Sequence, residues 1–215
     1  DIDLSKYETA PVVSGTVRIG VFASVQGATI KDLKLDGTVT GTYTAPSNTT
    51  YVDLGLLIGT TLTDSDKNTR LERITADVAV DAELSHGQKT IYFGTMIGRA
   101  NSGLDDVNRI VLEHCENMGD YTVNMAGVSS NASRVGGLIG HAYPGVKFDS
   151  CVNSGDITTT GGNASVGDLC GTGGQDIYVN CVSAGSLKVE TGTINVMNGM
   201  LDTTAKEAGN VIRTK

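Results

Sequence analysis

The sequence predicts an all-β protein, a right-handed parallel β-helix (β-solenoid) of about five to six rungs, where a rung is one coil of chain. Two short motifs recur in phase at intervals of about 30 to 42 residues, a period typical of stacked repeats. The chain contains 28 glycines, only 5% aromatic residues and no Trp. This composition suits the narrow interior of a solenoid, which has little room for large rings.

The first motif reads apolar, Gly, variable, two mostly apolar residues and a small residue. Its clearest copy is Val135–Gly140, VGGLIG. Four further copies are Ile19–Ser24, Leu54–Gly59, Phe93–Gly98 and Val166–Gly171. The second residues of the five copies are the repeat glycines Gly20, Gly55, Gly94, Gly136 and Gly167. Val196–Leu201 is interpreted as a decayed sixth copy with Met197 at the glycine position.

The second motif places two apolar residues three positions apart, as in Ile30 and Leu33. The second members of its five copies are predicted to form one interior ladder: Leu33, Ile74, Cys115, Cys151 and Cys181. Four residues after them stand Gly37, Gly119, Gly155 and Gly185, with Val78 as the exception. Each unit therefore holds two or three short strands separated by turn residues.

The repeats divide the chain into three parts. Residues 1–16 are a lead-in or N-terminal cap, residues 17–201 form the solenoid, and residues 202–215 are a C-terminal cap or tail, either a short helix or a strand. Polar inserts near 42–50, 60–70, 99–109 and 124–133 fall in the first three rungs. Corner loops on one side of a repeat protein commonly form its binding face. A parallel crossover is right-handed by default.

Charge and cysteine content exclude several classes of protein. The net charge is −8, which argues against binding of nucleic acid through its phosphates. No apolar run is long enough for a membrane helix, and a start without Met is interpreted as a processed piece of a longer product. The cysteines are expected to be buried thiols, although a disulfide between adjacent rungs stays possible. The absence of C-x-x-C argues against structural zinc.

The phrases GGLIG, FDSCVNSGDIT and IKDLKLDGTVTG resemble GLUG-type repeats over roughly residues 17–196. Such repeats occur in right-handed β-helix regions of bacterial surface proteins, including adhesins and the non-catalytic portions of immunoglobulin-A protease-like proteins of Bacteroidetes. The resemblance implies an extracellular or cell-surface location associated with the outer membrane. It also implies a host or bacterial surface glycan or protein as partner. Val78 and Ser24 depart from the repeat pattern.

Residues with catalytic or metal-binding chemistry are few. Asp64, Asp66 and Asn68 have the alternate spacing of the first calcium ligands in an EF-hand loop, but Thr69 and Thr75 replace its Gly and Glu. A solvated polar corner is therefore favoured over a calcium site. Asp105 and Asp106 are the candidate acid and base of a carbohydrate-active enzyme. The chain has no H-E-x-x-H zinc motif.

Histidines and tyrosines near the corners are the remaining candidates. His114 is expected to point outward beside an inward Cys115, and His141 is expected to be a turn residue after Gly140. His86 has no partner in sequence that indicates a site. Four tyrosines are expected to be exposed near corners and are candidates for stacking on sugars: Tyr43, Tyr51, Tyr92 and Tyr143. The alternative for Tyr51 and Tyr92, which fit the strand phase, is packing within the strands.

The sequence therefore predicts a non-catalytic cell-surface module for adhesion or display, without a cofactor, with binding, if any, through the corner loops of rungs one to three. Two alternatives stay open. One is a carbohydrate-active β-helix enzyme, and the other is a structural stalk of an immunoglobulin-A protease-like surface protein.

Overall fold

A computed structural model describes residues 1–7, 12–13, 15–47, 49–62, 67–85, 90–101, 109–125, 133–173, 176–195 and 211–212. A short 3-10 helix, Leu4–Tyr7, lies between β1 (Ile2–Asp3) and β2 (Val12–Val13). The first two rungs contain β3 (Thr16–Ile19), β4 (Phe22–Gln26), β5 (Thr29–Thr44), β6 (Tyr51–Gly55), β7 (Ile58–Leu62) and β8 (Thr69–Ser85). The third contains β9 (Thr90–Gly94), β10 (Ile97–Ala100), β11 (Ile110–Glu113), β12 (Glu116–Asn117) and β13 (Tyr121–Asn124).

The last rungs have the same order of strands. They contain β14 (Ser133–Gly136), β15 (Ile139–Ala142), β16 (Val146–Asp149), β17 (Val152–Asn153) and β18 (Ile157–Gly167), then β19 (Cys170–Thr172), β20 (Ile177–Val179), β21 (Val182–Ser183), β22 (Leu187–Asn195) and β23 (Val211–Ile212). In the part of the chain that the structure describes there is no α-helix, and none of it could span a membrane as a helix.

Equivalent strands of successive rungs pair in parallel, so the predicted all-β parallel solenoid is confirmed. One sheet has five strands in the order β4, β7, β10, β15 and β19, one from each rung. In it, Ile97 pairs with Ile58 on one side and with Ile139 on the other. Because like residues stack on like, each rung covers the apolar residues of its neighbours.

Each rung has three parts, which we name by their position. The first arm is β3, β6, β9, β14 and the end of β18, and the second arm is the five-stranded sheet. The wall is the longer segment that follows, β5 and β8 in the first two rungs and shorter consecutive strands in the later ones. The two arms of a rung are joined by a tight turn, the tip, which contains the repeat glycine.

Glycines allow the arms to fold back on each other. A Cβ added to Gly167 at the tip would overlap the carbonyl oxygen of Cys170. A Cβ added to Gly98, the last residue of the motif, would lie 2.6 Å from the Leu54 nitrogen on the first arm of the preceding rung. Neither glycine has a positive φ, so the motif requires glycine for close backbone approach.

The tip of each rung packs against the middle of the wall and divides the interior into two apolar cores. Tyr121 donates a 2.5 Å hydrogen bond to Asn117 Oδ1, and its hydroxyl lies 3.3 Å from the tip carbonyl of Gly137. One core lies between the second arm and the N-terminal half of the wall, and contains Ile97 and Leu112. The other core, with Phe93, lies under the first arm. The arms therefore form a V whose mouth faces away from the wall.

The structure places the predicted ladder residues in one column of the wall. Leu33 pairs with Ile74, and the Val152 and Val182 amides donate 2.9 Å hydrogen bonds to the carbonyls of Cys115 and Cys151. Cys115, Cys151 and Cys181 are fully buried. All four cysteines are free thiols, as the ladder interpretation expects.

One corner of the wall has a left-handed backbone in every rung. The residues with this conformation have φ between 52° and 56° and occupy equivalent positions: Asp32, Arg73, His114, Ser150 and Asn180. Each directly precedes a ladder residue, so the bend turns one side chain outward and the next inward. His114 points outward as predicted, with a side chain that is 58% exposed.

Both ends of the solenoid carry short strands. Gly167 pairs with Asn195, and the predicted sixth copy, residues 196–201, lies outside the described part of the chain. Val211 and Ile212 pair with Val182 and Ser183, which places a strand in the C-terminal segment. At the other end, β1 pairs with Val39 and Thr40, and Leu4 is 1% exposed.

Candidate binding groove

Two facing columns of side chains line the space between the arms, which we call the arch groove. The first arm contributes the register partners Arg18, Asp53, Tyr92, Arg134 and Ser165. The second arm contributes the register partners Ser24, Thr60, Arg99, His141 and Thr172. Tyr51 and Tyr143 lie nearer the mouth, so the groove runs along the solenoid axis.

A row of aromatic rings crosses the second, third and fourth rungs. The Tyr51 and Tyr92 rings stack with centroids 5.7 Å apart. The Tyr92 ring stacks on His141 at 4.9 Å, and His141 meets Tyr143 edge to face at 5.1 Å. Tyr92 is 5% exposed, whereas Tyr51, His141 and Tyr143 are half-buried. The row therefore fills the groove and reaches the surface at its rim.

Two arginines pack on this aromatic row. The Arg99 guanidinium carbon lies 5.2 Å from the Tyr51 ring centroid and 5.7 Å from that of Tyr92. The Arg134 guanidinium carbon lies 5.4 Å from the Tyr92 centroid. A guanidinium over an aromatic face is attracted by the ring quadrupole, which holds the arginine in one orientation. The rings therefore position the two cations along the groove.

One carboxylate lies beneath the arginines. Asp53 is fully buried, and its Oδ2 lies 2.8 Å from an Arg99 guanidinium nitrogen. Burial raises the pKa of Asp53 to about 6, although Arg99 and Arg18 both act to lower it. The carboxyl group is therefore ionised at neutral pH and its negative charge is paired with Arg99.

His141 contributes no positive charge at neutral pH. Burial, with a smaller effect of the nearby Arg134 guanidinium, lowers the pKa of His141 to about 4. Its Nδ1 lies 3.0 Å from Thr172 Oγ1 and 3.1 Å from the Thr172 carbonyl oxygen. The two columns thus hold three arginines and one carboxylate, in a chain whose net charge is −8.

The predicted corner inserts stand in the sequence between the arms and the wall, next to arm ends on the side of the mouth. Arg99 reaches back to Asp53 and Tyr51, so the second arm runs back along the first, away from the tip. The start of β6 and the end of β7 therefore lie on the same side. Between strands, the predicted inserts comprise 45–50, 63–68, 101–109 and 125–132, and each adjoins such an arm terminus at one end and a terminus of the wall at the other. In the second and third rungs, the Asn101 amide donates a 2.8 Å hydrogen bond to Thr61 Oγ1 near the mouth.

Several predicted site residues lie outside the described part of the chain, namely Asp64, Asp66, His86, Asp105 and Asp106. Asn68 is exposed. Within the described ranges no group of three His, Cys, Asp or Glu side chains could hold a metal ion. The solvated polar corner at 64–68 stays a prediction, with calcium binding there as its alternative, and catalysis by Asp105 and Asp106 stays the alternative to a non-catalytic module.

Two of the predictions about single residues are wrong. Tyr43 is fully buried in the interior core, where burial raises its pKa to about 12, so it is not exposed for sugar contact. His141 is not a turn residue, because it lies inside β15 and takes part in the aromatic row. The same row brings together Tyr51, Tyr92 and Tyr143, three of the four tyrosines considered from the sequence.

Sequence reasoning missed the charged residues of the groove. Asp53, Arg99 and Arg134 stand at alternate positions in short arms, and the signal was available as a polar residue two positions before or one position after a motif glycine. Comparisons with protein-family models, with curated proteins and with solved structures found no match.

Proposed function

We propose that this protein is a non-catalytic module for adhesion or display on a bacterial cell surface, associated with the outer membrane, and that it binds through the arch groove and the adjoining corner loops. The observation that carries the proposal is the aromatic row with its two packed arginines. It reaches the surface on the side where the inserts of the first three rungs adjoin the arms. Amphipathic rings and arginine are the side chains most often found at recognition sites.

The outer face of the wall offers a contrast. Several of its charges form ion pairs, as in Arg73 with Asp32 at 2.6 Å, Arg70 with Glu113 at 3.0 Å and Lys147 with Asp149 at 2.8 Å. Exposed pairs of this kind contribute little to stability or to binding. The groove therefore has the stronger claim as the binding face. The resemblance to GLUG-type repeats supports surface display.

The non-catalytic role is favoured by the chemistry of the groove. Glycosidases use a pair of carboxyl groups on either side of the scissile bond. The described side chains of the two columns include one carboxylate, Asp53, and it is buried against Arg99. An enzyme would have to draw on Asp64, Asp66, Asp105 or Asp106.

A binding array of glycans and extracellular matrix proteins tests the proposal. We expect saturable binding to at least one surface, which Tyr51→Ala and Tyr143→Ala both weaken. The matched control is Tyr178→Phe, because Tyr178 is a buried tyrosine in the core between the second arm and the wall, outside the groove. An array with no saturable signal would favour the structural stalk. Release of sugar fragments by the unmodified protein would favour the carbohydrate-active enzyme.

A further inference from the structure

We propose that the ligand of the arch groove is an acidic polysaccharide, a chain of sugars bearing carboxylate or sulfate groups, which lies over the mouth along the solenoid axis. Its sugar rings contact Tyr51 and Tyr143 at the rim, and its acidic groups bind Arg134 and Arg18. This inference rests on the proposed function and adds the chemical class of the partner.

The charges of the two groove columns favour an acidic ligand. Three of the 16 basic residues of an acidic chain lie in the two facing columns, with one carboxylate among the described side chains there. Arg99 is the arginine within 2.8 Å of that carboxylate. Arg18, in the first rung, and Arg134, in the fourth, are half-buried in the column of the first arm. The described side chains of the two columns thus carry more positive than negative charge on a negative protein, and complementary charge favours an anionic partner.

The basic side chains of the groove columns are arginines, whose shape suits the acidic groups of a polysaccharide. The guanidinium group is planar and matches carboxylate and sulfate oxygens with two parallel hydrogen bonds. The described groove columns contain arginine and no lysine. Arg134 is also held over the Tyr92 ring at 5.4 Å, which fixes its plane before a ligand arrives. A preordered arginine loses less conformational entropy on binding.

The spacing of the groove side chains along the solenoid axis suits a linear sugar chain. Neighbouring rungs lie about 4.8 Å apart, the separation of paired strands. Groove side chains of equivalent position therefore recur along the axis at intervals close to the length of one sugar unit in an extended chain. Tyr51 belongs to the second rung and Tyr143 to the fourth, with the Tyr92 and His141 rings between them. A linear polymer parallel to the axis can contact both rim tyrosines at once.

The experiment measures affinity by surface plasmon resonance for polygalacturonate, heparin, neutral dextran and single-stranded DNA. The chain is compared with its Arg134→Gln, Arg134→Lys and Arg18→Gln variants. Lys147→Gln is the control, because Lys147 lies on the outer wall with Asp149. Thermal unfolding of every variant establishes that it is folded, and the variants at two separate positions make the test independent of one misfolded protein.

We expect saturable binding to polygalacturonate or heparin that weakens with salt, and little binding to dextran. Each Arg→Gln change should weaken it about tenfold or more, the loss of one charged hydrogen bond. Arg134→Lys should restore part of the affinity, and Lys147→Gln should have no effect.

Three outcomes would overturn the inference. Binding to dextran as tight as to the acidic glycans, or tighter binding to DNA, would show another partner class, and the proposed binding function would survive. Acidic-glycan binding unchanged by both Arg→Gln variants would show that the groove is not the site. Absence of binding to every glycan and matrix protein would remove the proposed function as well.

Discussion

A buried carboxyl group in the fifth rung makes a quantitative prediction about pH. Val146 and Ile110 occupy equivalent positions in the column of the wall that faces the apolar core. The next residue of this column is Asp176, which is 2% exposed. Burial raises the pKa of Asp176 from 3.8 to about 7, and a hydrogen bond from the Val146 backbone only partly opposes this rise.

The raised pKa fixes the direction of the effect. Between the unfolded value near 3.8 and the folded value near 7, the folded protein binds more protons than the unfolded chain. The stabilising contribution of protonated Asp176 is therefore complete below pH 3.8 and is lost as the pH rises through 7. With these two values, the free energy of unfolding falls by about 3 kcal/mol between pH 5 and pH 8 because of this group alone.

Asp176→Asn removes the titration and keeps the shape of the side chain. Urea unfolding of both proteins at pH 5 and at pH 8 gives the free energy of unfolding in each case. The variant should gain about 3 kcal/mol relative to the unmodified protein between pH 5 and pH 8. All other groups titrate alike in both proteins and cancel. A difference between the two proteins that is the same at both pH values would refute the reasoning.

Three further predictions concern packing. Gly167→Ala places a Cβ against the Cys170 carbonyl oxygen, so it should lower the free energy of unfolding by about 3 kcal/mol or more. The control Thr122→Ala, on the exposed face of β13, should change it little, and equal effects of the two variants in urea unfolding would contradict the close packing of the arms. Because all four cysteines are free and buried, a thiol reagent should label none of them in the native protein and four after denaturation; rapid native labelling would contradict the buried ladder. Leu4→Ala should lower the free energy of unfolding by about 2–5 kcal/mol because Leu4 is 1% exposed in the core under the first arm. Lys6→Ala, at an exposed position, should be nearly neutral, and similar melting temperatures for both variants would show that the N-terminal segment does not cap the core.

The repeat pattern was sufficient to predict the coil. Gly55, Gly94, Gly136 and Gly167 stack in direct register, because the same close approach is needed at every tip. The ladder of Leu33 to Cys181 was readable for a similar reason, since its apolar residues recur at a fixed position after each left-handed corner.

The groove could not be predicted in the same way. Alternation within a strand of four or five residues does not show whether its polar face meets solvent or another strand. Here the glycines bring the arms together, so Asp53 and Tyr92 are covered although they stand at outward positions. Tyr43 failed for the opposite reason, because β5 continues past the expected end of its strand and keeps Tyr43 facing the core.

The left-handed corner of the wall makes this solenoid a scaffold that presents one residue per rung at a regular spacing. Five chemically different residues, from Asp32 to Asn180, adopt the same backbone angles there, so the bend tolerates many side chains. Successive positions are about 4.8 Å apart. A designer could replace them with chosen groups and obtain a straight row at fixed intervals, on the side of the coil away from the mouth.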